Sequence, residues 1–381
     1  MHIWQIDPVN LTPYYDRALC QALAEQNHTV RFITSKYLYN ELHYPATFRT
    51  EFHYFRWLGN PRWLTFPRLR KIFRALAYPL AHWHLLQKIK KARPDVVHIQ
   101  WSRFPLFDRW LVYQIQQLGI PVVHTVHDVT PIFALGAGTG QVADVYSSVD
   151  ALIVHTKESQ QKLLVAYPSI VHERVSIIPL IPDKSPDSQD IPANASMEQA
   201  RERLGIPPDM TVILFFGTIK HYKGLDLLAA AVPKVEANLT NFQIWVVGHA
   251  EAAKDIEQLK ALAQYSSVVV RPYYIPTSDM WLYYFAADVV VFPYHLIFQS
   301  AALMTALIHG RAVIVTNMGG LPEMIDGNGW IVPAENPAAF ADAMINACQD
   351  REALKRMGQR SKDVVTERFS ASRIAQQHID V

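Results

Sequence analysis

Short, β-branched apolar runs separated by helix-patterned stretches pass through this chain in two successive series, and no other feature limits its fold so strongly. The first series is His2–Ile6, Thr29–Thr34, Asp95–Gln100, Pro121–Val126, Ala151–His155 and Val175–Pro179. The second is Thr211–Phe216, Gln243–Val247, Val268–Arg271, Val289–Pro293, Ala312–Thr316 and Trp330–Val332. Nearly every residue in them is apolar, as happens when helices cover both faces of a parallel sheet. Helical patterns lie between, among them Tyr14–Gln26, with Ala18, Leu19, Ala22 and Leu23 on one face, and Arg109–Leu118, ending at Gly119. In the second half they are Leu225–Val235, Asp255–Tyr265, Ser278–Phe285, Gln299–His309 and Pro337–Asp350. Strand–helix alternation predicts doubly wound α/β domains. The texture changes over DKSPDSQDIPANAS, Asp183–Ser196, which reads as a linker or a long surface loop. The expected division is a first domain over 1–182, a linker over 183–200, a second domain over 201–365, and a C-terminal helix over 366–381 packing back on the first. Two such halves predict a cleft onto which the carboxyl ends of the strands open.

Composition narrows the function. Half of the 381 residues are hydrophobic, enough for two sizeable cores. Lys+Arg is 36 against 34 Asp+Glu, a balance that argues against a nucleic-acid coat protein. Two cysteines, Cys20 and Cys348, form neither a disulfide framework nor a metal-binding pair, so a reducing, cytoplasmic setting is expected. MHIWQIDPVN does not read as a secretory signal, and no run of about 18 apolar residues predicts a membrane span. Attachment to a membrane surface stays open.

The most informative stretch is LFFGTIKHYKGLDLL, Leu214–Leu228. A strand ends at Gly217, the loop carries Lys220 and Lys223, and Gly224 opens a helix. Two ammonium groups near a helix N-terminus suit an anion such as a phosphate, although an ordinary solvated loop has the same spacing. GxxxxGK[ST] and GxGxxG are both absent, which excludes a Walker A loop and weakens a dinucleotide dehydrogenase. In ADVVVFPYHLIFQSAALMTALIHGRAVIVTNMGGLPE, Ala287–Glu323, a buried strand runs into Gln299-Ser300, then a helix begins with Ala301 and Ala302. Small residues there let a ligand approach backbone N–H groups. Gly319 and Gly320 form either a second anion loop or only a turn. In VVHTVHDVTP, Val122–Pro131, a strand delivers His127 and Asp128 to its carboxyl end, where they are either structural or an acid–base pair. His98, His124 and His155 read as core or supporting residues. In the first loop, DPVNLTP, Asn10 and Thr12 are either ligand contacts or helix-start chemistry.

KHYKGLDLL, AADVVVFPY, QSAALMTAL and NMGGLPE, in this order and spacing, resemble the C-terminal domain of GT-B glycosyltransferases. The likeness is to the large retaining family 4-like group that includes sucrose synthases and many bacterial mannosyl- and glucosyltransferases. It is clear over 210–335 and weaker over 90–180. The resemblance implies a GT-B fold, two doubly wound Rossmann-like domains facing a cleft, with the acceptor on the first and a nucleotide-diphosphate sugar on the second. It implies that Lys223 contacts the diphosphate, with Lys220 where relatives often have arginine. It implies further that Tyr274 and Ile275 lie near the base, that N–H groups at Ser300 and Ala301 hold the diphosphate, and that Gly217, Thr305, Gly319 and Gly320 border the donor. A histidine reaching the donor sugar carries over to His127. No metal or cofactor is implied. The chain departs from the pattern at two glutamate positions, occupied by Ile297 and Thr305, and in a first loop without glycines.

Arg56–Arg93 holds ten Lys/Arg and no Asp or Glu, with Trp57, Trp63, Phe66, Phe73, Tyr78 and Trp83 interleaved. It reads either as a solvated helical face over a core stripe or as a patch for anionic lipid headgroups. The expected activity is therefore sugar transfer to a hydroxyl acceptor with retention, the acceptor being a carbohydrate or lipid-linked sugar at the cytoplasmic membrane face, with no nucleic-acid partner. The alternatives are a catalytically silent GT-B partner that binds nucleotide or glycan, and a sugar-nucleotide epimerase or phosphorylase.

Overall fold

A computed structural model of the chain describes residues 1–37, 44–56, 67–129, 139–182, 191–192 and 195–381. The chain divides into two compact units, Met1–Asp183 with Ala371–Val381, and Lys184–Ser370. Most of the expected linker segment lies outside the described residues.

Unit 1 contains strands β1 (His2–Asp7), β2 (Thr29–Ser35), β3 (Arg49–Tyr54), β4 (Val96–Ile99), β5 (Val122–Thr125), β6 (Ala151–Val154) and β7 (Val175–Ile177). All pair in parallel, in the order β3-β2-β1-β4-β5-β6-β7. Helices α1 (Pro13–Glu25), α2 (Pro67–Ala92), α3 (Pro105–Gln116), α4 (Thr139–Ser148) and α5 (Lys157–Ala166) connect them. Parallel neighbours need crossover connections, and these take one hand. Helix α1, which leads from β1 toward β3, therefore lies on one face, and α2, α3 and α4, which lead in the other direction, on the other. The last helix of the chain, Ala371–Ile379, packs on α1, where the Tyr15 hydroxyl lies 3.2 Å from His378 Nε2 and Gln26 Nε2 donates to the Ser372 carbonyl at 2.7 Å.

Unit 2 repeats the plan. It begins with α6 (Met197–Leu204) and continues through β8 (Thr211–Phe216), α7 (Leu225–Asn238), β9 (Phe242–Val247), α8 (Ala253–Leu262), β10 (Val268–Arg271), α9 (Met280–Ala286) and β11 (Val289–Phe292). It ends with α10 (Ala301–Ile308), β12 (Ala312–Thr316), β13 (Gly329–Val332), α11 (Pro337–Gln349) and α12 (Arg351–Arg368); the helix over 371–379 is α13. Its six parallel strands run β10-β9-β8-β11-β12-β13. Every residue of β8, β11 and β12 is buried, as their uniform apolar sequences require.

In both sheets the connections reverse direction beside the first strand, between β1 and β4 and between β8 and β11. Such switch points leave a crevice at the carboxyl ends of the two strands. Strand β3 is an element that the apolar pattern of unit 1 did not announce. Strand β3, RTEFHY, is an edge strand with most residues half-exposed, so it lacks an apolar run. Helix α2 carries Pro79 inside and a strongly basic C-terminal turn.

Candidate functional site

In unit 2 the chain leaves β8 through Gly217, whose φ of 115° disfavours a side chain. Its N–H donates to the Val247 carbonyl at 2.9 Å. A Cβ on Gly248 would lie 2.0 Å from the Gly217 carbonyl oxygen, so the chain ends of β8 and β9 touch backbone to backbone. A single 3-10 turn, His221–Lys223, then leads into Gly224 at φ 68°, which begins α7. A Cβ on Gly224 would sit 1.8 Å from the Pro293 carbonyl oxygen, and the His295 N–H donates to the Tyr222 carbonyl at 2.8 Å. The lysine loop is thereby fastened to the end of β11, and His295 Nε2 lies 2.7 Å from Asp226 in the first turn of α7.

This fastening leaves Lys223 half-buried. Its ammonium stands 5.8 Å from the Tyr294 ring centroid, and a Cβ on Gly217 would come within 3.1 Å of it. Burial, with the charge of Lys220 adding to it, pushes its pKa down to about 8. Among the described residues no carboxylate pairs with it. A half-buried cation with no carboxylate partner among the described residues suits an anionic ligand.

The neighbouring loops close the same area. Tyr294 is buried and bonds to Ser300, whose hydroxyl accepts the Leu303 N–H at 3.1 Å as the N-cap of α10. That leaves the N–H groups of Ala301 and Ala302 without a protein acceptor among the described residues. Gly319 approaches so closely that a Cβ would lie 1.8 Å from the Ile297 carbonyl oxygen, and the Gly320 N–H donates to Phe298 at 3.1 Å. Gly217, Lys223, Ser300, Ala301, Gly319 and Gly320 thus follow the carboxyl ends of three adjacent strands, β8, β11 and β12. Thr305 lies a turn further along α10 and donates to the Ala301 carbonyl at 2.9 Å. Beyond β10, Tyr274 is exposed, whereas the Ile275 side chain is buried and faces the core.

In unit 1, His127 is buried, and both ring nitrogens have partners. Nε2 lies 3.0 Å from Gln100 Oε1 and Nδ1 lies 3.2 Å from His155 Nε2, while the Trp101 ring stacks on it at 4.9 Å. His155 Nδ1 donates to the Ile178 carbonyl at 2.8 Å. Burial holds His98 and His127 well below the usual histidine range and His124, His155 and His378 at about 4, so this cluster is neutral at physiological pH. Asp128 is the chemically open member of the pair. Burial alone raises its pKa to about 6, and it has no hydrogen-bond or ion-pair partner among the described residues. With Ser102, Arg103 and His124 it lines a narrow pocket of about 30 Å³, room for one or two waters.

Two residues that the sequence reading passed over organise this end of β1. Asp7 Oδ1 accepts the N–H groups of Val9 at 3.0 Å and Asn10 at 2.9 Å; Oδ2 accepts those of Leu11 at 2.6 Å and Thr12 at 3.4 Å. Asp16 on α1 is held well above the carboxylate range by burial and then by the Asp7 charge, so the two carboxyls share a proton. Gln5 and Thr12 donate to Asp16 at 2.7 and 3.1 Å. Asn10, at φ 55°, donates to the Ser35 carbonyl at 2.9 Å. The side chains of Asn10 and Thr12 are therefore engaged internally. A strand-terminal Asp-Pro followed by polar turn formers was the available signal.

The basic segment is partly described; Trp57, Arg62, Trp63 and Phe66 fall outside, as do the side chains of Arg68, Arg70 and Lys71. In α2, Tyr78, His82, Leu85 and Ile89 face inward, while Ile72, Leu76, Leu80 and Trp83 are exposed. Helix α3 packs beside α2 and exposes Leu106, Trp110 and Tyr113. Lys90, Lys91 and Arg93 are exposed at the end of α2, and Lys88 pairs with Glu51.

A model described as Glycosyltransferase Family 4 matches residues 15–181, and one described as Glycosyl transferases group 1 matches residues 210–350. A D-inositol 3-phosphate glycosyltransferase from Xylanimonas cellulosilytica is 28% identical over 272 residues, covering 66% of this chain and 62% of the relative. The chain thus spans about three fifths of that relative's length. A sucrose-phosphate synthase from Thermosynechococcus elongatus has a similar structure, with a TM-score of 0.77 at 19% identity, covering 100% of this chain and 98% of that one. Anabaena HepE in complex with UDP-glucose gives 0.71 at 14% identity, covering 100% and 98%. At these identities the structural likeness concerns the fold.

Proposed function

We propose, from the chain's membership of the GT-B glycosyltransferases of the family 4 type, that the protein moves a sugar from a nucleoside-diphosphate donor to a hydroxyl acceptor. The observation that carries this reading is Lys223, a half-buried ammonium with no carboxylate partner among the described residues, set among glycines at the carboxyl end of β8. Lys223 and Lys220, with the N–H groups that begin α10, stabilise the diphosphate as it leaves. That is electrostatic catalysis by preorganised charge. Transfer proceeds with retention, and the departing phosphate takes the proton of the acceptor hydroxyl. No metal is assigned, because two ammonium groups supply the positive charge. Tyr274 and the backbone at Ile275 border the base, and Thr305, Gly319 and Gly320 border the rest of the donor. His127 acts from behind, orienting the loop that bears Asp128; Asp128 is the base in the event of inversion.

The acceptor is a lipid-linked or polymer-bound sugar, met at an anionic membrane face. What supports this is the α2–α3 surface, where Leu76, Leu80 and Trp83 on α2 and Leu106 and Trp110 on α3 are exposed, with Lys90, Lys91 and Arg93 exposed at the C-terminal end of α2. No helix of the described residues is long and apolar enough to cross a membrane. The named relative acts on an inositol phosphate, which makes a soluble polyol phosphate the second acceptor class.

A thermal-shift screen of UDP, GDP, ADP and dTDP tests the donor reading. A nucleotide at 100 times its Kd adds about 2.7 kcal/mol to the stability of the unit that binds it. UDP is the first expectation, and no shift with any of the four refutes the reading. Release of nucleoside diphosphate from the matching nucleotide sugar separates an enzyme from a silent partner, which releases none.

A further inference from the structure

Unit 2 has a second concave site at the opposite end of its strands. A cavity of about 360 Å³ opens beside Asp288, which precedes β11, and Gly310 and Arg311, which precede β12. That volume falls in the range of small-ligand pockets. The outer wall is α12, which turns Arg351, Lys355, Gly358 and Lys362 toward the cavity at helical spacing. Two glycines make this wall possible. A Cβ on Gly358 would lie 2.4 Å from the Gly310 carbonyl oxygen, and one on Gly310 would lie 2.4 Å from Cε of Lys362. The lysine stem therefore crosses bare backbone on its way to the rim.

The cavity is lined by five cations and one carboxylate. The carboxylate is already engaged, since Asp288 Oδ2 accepts from Arg201 and from the Val212 N–H, both at 2.7 Å. Arg201 is likewise committed, donating also to the carbonyls of Ala286 and Pro208. Lys355 pairs with Glu352 at 2.7 Å on the exposed side of the helix. Three cations remain: Arg311, Arg351 and Lys362 have no carboxylate partner among the described residues. Arg311 is fixed by bonds from Nε to the His309 carbonyl at 3.0 Å and from NH1 to the Ala287 carbonyl at 2.9 Å, which leaves its other terminal nitrogen for a ligand. Arg351 is steadied by the Asp209 carbonyl and by Thr211 Oγ1 at 3.2 Å. A pinned guanidinium with two more cations around one concavity suits the tetrahedral oxygens of a phosphoryl group. We propose that this cavity, at the amino ends of β8, β11 and β12, binds a phosphoryl group, either as inorganic phosphate or on a phosphorylated metabolite.

The site is separate from the lysine loop, and its test is independent of the donor reading. Inorganic phosphate and glucose 6-phosphate are titrated calorimetrically into the full chain at constant ionic strength, with chloride as the reference. The Lys223→Met variant serves as a second host in which the donor loop is silenced. The expected result is saturable binding in both hosts, weakened at least fivefold by Arg351→Ala and by Lys362→Ala, with the melting temperature of both variants unchanged in the absence of ligand. Tighter binding of the sugar phosphate identifies a metabolite as the ligand, and equal binding identifies the free ion. Binding no stronger than a chloride effect, equal binding in the cavity variants, or binding abolished by Lys223→Met overturns the proposal.

Discussion

Replacing Lys223 with methionine, which keeps the stem and removes the charge, should make unit 2 more stable and less able to bind its ligand. Burial lowers the lysine pKa from 10.5 to about 8. That difference corresponds to about 3 kcal/mol spent at neutral pH to keep the ammonium charged in the fold. The folded protein gives up the proton near pH 8 and the unfolded chain only near 10.5. The unfolded chain therefore binds more protons between these values, and wild-type stability climbs with pH across that window. Lys223→Met lacks this dependence. It should exceed wild type below pH 8 by at most about 3 kcal/mol, and the gap should close toward pH 10. For a unit of this size that is a rise in melting temperature of roughly 6–12 °C, less where water reaches the ammonium. Losing one charge-assisted contact should weaken nucleoside diphosphate binding by about 1.5–3 kcal/mol, or roughly 10- to 150-fold. Calorimetric melts at pH 7, 9 and 10, with titration of UDP at pH 7, check both halves. A variant that is less stable at pH 7 and binds UDP normally would make Lys223 a packing residue, and the diphosphate assignment would fall with it.

Gly224→Ala must overcome both a left-handed backbone and contact with the Pro293 carbonyl; a loss of about 2–4 kcal/mol in unit 2 is expected, and a melt unchanged from wild type would refute the close approach. His124, His155 and His378 sit near 4 through burial against 6.5 when unfolded, so the stability they confer is complete above pH 6.5 and is lost as pH falls toward 4. Unit 1 should accordingly melt well below its neutral-pH temperature at pH 5, and identical melts at pH 5 and 7 would contradict the neutral cluster. The triple substitution Leu76→Glu, Leu80→Glu, Trp83→Glu should abolish sedimentation with phosphatidylglycerol-containing vesicles at low salt while leaving UDP binding intact. Negligible binding of wild type to such vesicles would favour a soluble acceptor. Asp128→Asn should cost less than tenfold in turnover under retention; a loss of a hundredfold or more would make Asp128 the base and the reaction inverting.

The sheets were legible because a strand covered on both faces has no choice but to be apolar. TVILFF at β8 and VVVF at β11 leave no alternative, and their ends could be read almost to the residue. The edge strand β3 was not legible for the converse reason, since half-exposed positions accept RTEFHY. The lysine loop was recognisable from Lys223-Gly224, but the burial of that lysine was not. It depends on Gly224 meeting Pro293, 69 positions away, and on Gly217 leaving room for the ammonium. At β5 the sequence led to this loop and to an emphasis on its histidine. Only the folded arrangement shows that Gln100 and His155, from two other strand ends, occupy both nitrogens of His127 and leave Asp128 open. Pairwise saturation of this kind has no local signature.

The first loop explains why both proposed anion sites lie in unit 2. A turn of successive backbone N–H groups after the first strand of a doubly wound domain is a natural cradle for phosphate. In unit 1 that turn exists, but its four donors, from Val9 to Thr12, all point at the Asp7 carboxylate. The side chain does internally what a ligand phosphate does elsewhere. Asp16, kept protonated beside it, prevents two buried negative charges from facing each other. A loop that supplies its own anion needs no glycines, which accounts for DPVNLTP, and it offers nothing to a diphosphate. In unit 2 the corresponding turn carries Gly217 and no acidic residue before Asp226, and the ammonium of Lys223, which has no carboxylate partner among the described residues, lies against Gly217. Two sheets of the same winding thus end in turns of opposite electrostatic character, one built around its own carboxylate and one around an ammonium.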